Sequence, residues 1–151
     1  QPMYADDEIF YYIYEKCEQE AIPLMMAFGG FIGPDYSYCE PIRIDHIATD
    51  FPKLKLLLTH GGYPCVTEIC HVASNHDNVW VAPDLYVMHS PGWRDYVDAA
   101  NCMLIDKICY GSAYPIVDLQ AAVNHYLTLG FSEEALPKVM YHNAAAFFGL
   151  A

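Results

Sequence analysis

The stretch at 51–86, "FPKLKLLLTHGGYPCVTEICHVASNHDNVWVAPDLY", sets an apolar run, a turn, a helical stretch and a second apolar run in succession. The runs "LKLLLTHGG" (54–62) and "NVWVAPDLY" (78–86) are rich in apolar residues without strict alternation, and each ends in Gly, Pro or polar residues. That is the pattern of a strand buried on both faces, which implies parallel pairing. "VTEICHVASNH" supplies the helix between them. Working outward, "IPLMMAFGG" (22–30) and "KICYGSAYP" (107–115) have the same layout, giving four candidate strands.

Helical spacing fills the gaps. "DDEIFYYIYEKCEQEA" begins with acids suited to a helix N-terminus and puts Ile9, Ile13 and Cys17 on one face, while "PIRIDHIATDFP" does so with Ile44, Ile47 and Phe51. "GWRDYVDAANCM" precedes the fourth run, and residues 118–150 read as two or three helices broken near Gly130, with Ser132 as N-cap and Glu134 in the next turn. Strands alternating with helices every ~25 to 30 residues are βα units of the length found in (β/α) barrels.

Four such units make half of an eight-stranded barrel. Half a barrel leaves strand edges and an interior uncovered, and the chain starts at Gln1, so the expectation is a piece of a protein roughly twice as long. A complete small doubly wound α/β domain is the alternative.

The 151 residues suit one domain, and 54% hydrophobic against 17% charged residues point to a packed core. A net charge of -12 repels phosphate backbones and anionic membrane surfaces, so neither nucleic acid nor membrane is an expected partner. Without a long apolar span or a signal-like start, the expected location is cytoplasmic. The cysteines at 17, 39, 65, 70, 102 and 109 lack CxxC spacing and read as reduced, mostly buried apolar residues.

Ligands of parallel α/β folds sit at the carboxyl ends of strands. There the first run has only Ala27, Phe28, Gly29 and Gly30. The second leaves His60 beside Gly61 and Gly62, where an imidazole can bind metal, polarise a carbonyl or move a proton; otherwise it bonds across neighbouring strands. Asp84 after Pro83 is a candidate base or ligand, or a turn cap. Ser112 and Tyr114 flank Ala113 and are candidate substrate contacts, or shape the turn with Pro115. His46, His71, His76, His89, His125 and His142 read as surface or structural residues.

With these motifs assembled, the chain resembles the C-terminal half of an amidohydrolase-superfamily barrel, in the branch related to aminocarboxymuconate-semialdehyde decarboxylase. The resemblance rests on "IPLMMAFGG", "FPKLKLLLTHGGYP", "DKICYGSAYP" and "KVMYHNAAAFFGL", which occur in family order. It implies the last four βα units of a (β/α)8 TIM barrel. It also implies hydrolysis or non-oxidative decarboxylation of a small carboxylated or ring-containing substrate, and a divalent metal, zinc first. His60 matches the sixth-strand histidine, also a candidate ligand. The fifth-strand histidine and the eighth-strand aspartate of the family's metal site are Ala27 and Ala113 here, and a methyl group can neither ligate a metal nor take a proton.

The leading expectation is a hydrolase of a small organic acid, amide or lactone, with His60 as carbonyl polariser or proton relay and Asp84 orienting substrate or acting as base. A carboxy-lyase is the second. A catalytically degenerate barrel with a binding or structural role is the third. A homodimer is compatible with the exposed apolar positions.

Overall fold

A computed structural model describes residues 3–30, 35–88 and 90–150. Its centre is a parallel sheet of β1 (Leu24–Ala27), β2 (Leu56–Thr59) and β3 (Val79–Ala82) in that order. Leu24 pairs with Leu56 and Leu56 with Val79, so all three strands end level, at Ala27, Thr59 and Ala82.

The expected fourth strand is reduced to one parallel bridge, Val81 to Ile108. Its ladder consists of the Val81 N–H donating to Lys107 O and the Cys109 N–H donating to Val81 O. Continuing it upward requires an N–H at position 83, which is proline and has none. Downward, the Lys107 N–H is already given to Leu104 O.

The helices are α1 (Tyr11–Gln19), α2 (Ile42–Asp50), α3 (Val66–Asn75), α4 (Trp93–Ala100), α5 (Leu119–Tyr126), α6 (Ala135–Pro137) and α7 (Asn143–Phe148). A π-helical turn, Lys138–His142, joins the last two. In α2, Ile44 and Ile47 are buried as their spacing predicts. In α1 they are not: Ile9 and Ile13 are exposed, and the buried residue is Tyr14. The rings of Tyr11 and Tyr14 stand edge-on to Phe51 at 5.0 and 5.6 Å, so aromatic area rather than the isoleucine stripe decides which face packs. Ser132 acts as expected, its hydroxyl accepting from the Ala135 N–H at 3.1 Å.

The two sheet faces differ. Leu56, Leu58, Val79, Val81 and Ile108 belong to the large core beneath the helices. On the other face Leu57, Ala82 and Cys109 pack with Phe147 of α7, flanked by Trp80 and Ala144. The Lys55 ammonium, just before β2, donates to Ala146 O at 3.1 Å, which sets α7 at the amino ends of the strands. That leaves the carboxyl ends to the loops. None of the six cysteines is in a disulfide among the described residues, and Cys39, Cys65, Cys70 and Cys109 are buried. No helix among those residues is long and apolar enough to cross a membrane.

Candidate active site

Level strands β2 and β3 bring the residues just past their ends together. His60 and Asp84 both adopt left-handed backbone, φ 65° and 45°, a conformation non-glycine residues seldom hold without support. The support is the Asp84 carboxylate. Oδ2 accepts from the His60 backbone N–H at 3.0 Å and from His60 Nδ1 at 2.7 Å, while Oδ1 accepts from the Leu85 N–H at 2.6 Å. Asp84 is 6% exposed. Burial pushes its carboxyl above the ordinary aspartate range, and the His60 imidazole with these N–H donors pulls the other way.

With Nδ1–H committed to Asp84, Nε2 is the nitrogen that faces chemistry. The His60 side chain is 34% exposed, so Nε2 can meet a ligand at the strand ends. Tyr86 stands edge-on to the imidazole at 5.9 Å and stacks on Tyr63 at 4.5 Å, forming an aromatic wall. A buried carboxylate that orients one imidazole nitrogen is an arrangement from which the other nitrogen can move a proton.

Glycines allow the strand ends to approach. A Cβ on Gly61 (φ 59°) would lie 2.8 Å from Pro83 Cα and 2.9 Å from the Tyr96 hydroxyl. One on Gly111 would lie 3.0 Å from Asp84 Cβ, so the fourth strand end is seated directly against the pair. Ser112 and Tyr114 lie beyond it. The Ser112 hydroxyl accepts from the Tyr114 N–H at 3.2 Å, a local turn bond, and Tyr114 is 66% exposed. Neither side chain has a hydrogen bond to His60 or Asp84.

The remaining histidines serve the outside of the fold or lie beyond description. His46 meets Asp6 at 2.7 Å and His76 meets Asp45 at 2.8 Å. His71 lies in α3 beside Asn75, at 3.1 Å, and lines an outer groove of about 850 Å³ between α2 and α3. His125 falls within α5 and His142 in the π-helical turn, while His89 lies outside the described residues.

The zinc that the resemblance implies has few donors here. Among the described residues no three His, Cys, Asp or Glu side chains are grouped to hold a metal ion. Position 27 and position 113 carry methyl groups, and both Asp84 oxygens already accept from protein N–H groups. His60 Nε2 is one donor, where a catalytic zinc takes about three protein ligands. The donor set does not fit a metal centre built from this chain.

Sequence reading missed the tyrosines. Tyr63, Tyr86, Tyr96 and Tyr126 all touch the strand ends, and in a chain with 13 tyrosines nothing in their spacing separates them from core residues.

Parallel βα units carrying polar side chains at the strand carboxyl ends define a class, the (β/α) barrel enzymes. Within it, this chain belongs to the Amidohydrolase family, whose model (Amidohydro_2) matches residues 2–150. No curated protein matches. An uncharacterized TIM-barrel protein from Bordetella bronchiseptica is 38% identical with a TM-score of 0.94, covering 98% of this chain and 53% of that one. A dihydroxybenzoic acid decarboxylase from Polaromonas, solved with manganese and 2-nitroresorcinol, is 16% identical with a TM-score of 0.70, covering 99% and 56%. A 5-carboxyvanillate decarboxylase from Sphingomonas paucimobilis is 16% identical with a TM-score of 0.67, covering 97% and 55%. The latter two share the fold. The chain spans about half the length of these structures, and its architecture is that of part of a (β/α) barrel.

Proposed function

We propose that the full-length protein is a hydrolase of a small organic acid, amide or lactone, in which His60 transfers the proton and Asp84 holds the imidazole for it. The observation that carries this reading is the 2.7 Å contact between His60 Nδ1 and a buried Asp84. In the hydrolytic step, water attacks the substrate carbonyl and gives a proton to Nε2. The bond to the leaving oxygen or nitrogen then breaks, and that atom takes the proton back. Asp84 keeps the ring in the tautomer that accepts at Nε2 and stabilises the imidazolium. Tyr114 and Ser112, on the loop backed by Gly111, are proposed to contact the substrate. No step here runs through a metal, and a metal centre in the full-length protein would draw its other donors from outside this chain.

The second reading is non-oxidative decarboxylation. The Polaromonas and Sphingomonas decarboxylases favour it, and the same pair serves. The C–C bond to the carboxylate breaks, carbon dioxide leaves with the electron pair kept on carbon, and Nε2–H delivers the proton there.

Turnover in isotopic water distinguishes the two. The full-length protein is presented with a panel of small lactones, amides and hydroxybenzoates, and products are analysed by mass spectrometry. Hydrolysis places ¹⁸O from the solvent in the product; decarboxylation releases carbon dioxide and, in D₂O, leaves deuterium on carbon. His60→Asn is expected to lower kcat by about 10²- to 10⁴-fold while the thermal midpoint stays close to wild type. Unchanged turnover in that variant would remove His60 from the chemistry, and no turnover of any compound by the wild type would leave the barrel with a binding role.

A further inference from the structure

Two buried phenols reach the backbone of the proton-transfer pair from the helix layer. Tyr96 on α4 and Tyr126 on α5 are both fully buried. The Tyr96 hydroxyl donates to Gly61 O at 2.9 Å. The Tyr126 hydroxyl donates to Asp84 O at 3.4 Å and accepts from the Gly111 N–H at 3.5 Å, longer contacts that tie the third strand end to the fourth.

These carbonyls belong to the residues whose backbone is left-handed. Gly61 follows His60 and has φ 59°, and its carbonyl orientation fixes how the turn leaves the strand. Asp84 has φ 45°. Its carbonyl and the Leu85 N–H are the two ends of one peptide group, and that N–H donates to Asp84 Oδ1. Holding the carbonyl therefore holds the carboxylate in the plane from which it accepts His60 Nδ1. Burial raises the pKa of both phenols, so each keeps its proton and remains a donor.

We propose that Tyr96, and more weakly Tyr126, are positioning residues that keep His60 aimed at Asp84. This rests on the reading of His60 and Asp84 as the proton-transfer pair. A tyrosine that only fills space would lose stability on removal of its hydroxyl without altering the imidazole. Tyr14 is the matched comparison, a buried tyrosine whose hydroxyl donates to Ala5 O at 2.6 Å and not to the backbone of either strand-end turn.

The test is the low-field proton resonance of His60 Nδ1–H in the full-length protein, assigned by its disappearance in His60→Asn. Tyr96→Phe is expected to broaden this resonance or move it upfield, because loosening the imidazole from the carboxylate weakens the charge-assisted bond that Nδ1–H makes. Tyr126→Phe should do the same to a smaller extent. Tyr14→Phe should lower the thermal midpoint comparably and leave the resonance in place. An unchanged resonance in a folded Tyr96→Phe protein, or an equal change in Tyr14→Phe, overturns the positioning role while the pair itself stands. If Tyr96→Phe does not fold, an unchanged resonance in Tyr126→Phe overturns it. A wild-type protein with no such resonance removes the pair and the positioning role together.

Discussion

Burial raises the pKa of Asp84 above its ordinary value of 3.8, and its contacts with His60 oppose that shift. An acid whose folded pKa is raised binds its proton more tightly in the native state. Its contribution to stability is then fully present below the unfolded pKa and falls as pH rises through the folded one. Asn at this position has no proton to lose. The stability of wild type relative to Asp84→Asn should therefore be greatest at the acid end and decline from about pH 4 upward, levelling off once the carboxyl is ionised. Denaturant titrations of both full-length proteins across that range measure it, and a difference that grows with pH would show that the His60 contact dominates instead. The same residue marks how far the sequence could be read. His60 and Asp84 were visible because both follow apolar runs that end abruptly. Their contact was not, since it depends on level strand ends and on two left-handed backbones, which even His and Asp adopt only in a minority of cases.

Among the elements, β2 and β3 were legible because strands covered on both faces leave unbroken apolar runs, and β1 leaves the same kind of run although Met25 and Ala27 are exposed in this chain. The fourth run looked equivalent, yet its pairing depends on the neighbouring strand, where Pro83 lacks the next N–H. What the ladder does not supply is provided by a side chain from the C-terminal helices. Asn143, buried at the start of α7, donates through Nδ2 to Ile108 O at 2.7 Å and to Ile105 O at 3.0 Å. Asn78 works similarly before β3, donating to Phe51 O at 2.9 Å and Leu54 O at 3.0 Å. Asn143→Leu leaves two carbonyls without that donor and should cost about 2 to 3 kcal/mol of unfolding free energy. Denaturant unfolding of the full-length variant checks it; a loss below ~0.5 kcal/mol would mean the bridge at Ile108 carries itself. Of the face expected for α1, Cys17 packs against the core, while Ile13, and Ile9 in the turn before the helix, meet solvent because Tyr14 and Tyr11 find Phe51.

For the whole molecule, β1 is an edge strand, and on it Met25 is 52% exposed. An open edge with apolar side chains is a template for further strands. Expressed as this 151-residue chain alone, the protein is expected to self-associate, and light scattering after size exclusion would show it; a clean monomer would mean that the edge is tolerated. Its acidity, a net charge of -12, should slow that association at low salt and speed it as salt screens the repulsion.

Leu57, Ala82 and Cys109 pack with Phe147 into a small apolar cluster on the sheet face turned away from the main core. Its four side chains carry no hydroxyl or carboxylate, so no relay of such groups runs through that cluster to the imidazole. In the decarboxylation reading a deuteron carried on Nε2 would pass to carbon and stay there, whereas in the hydrolytic reading the proton returned to a leaving oxygen or nitrogen goes on exchanging with water.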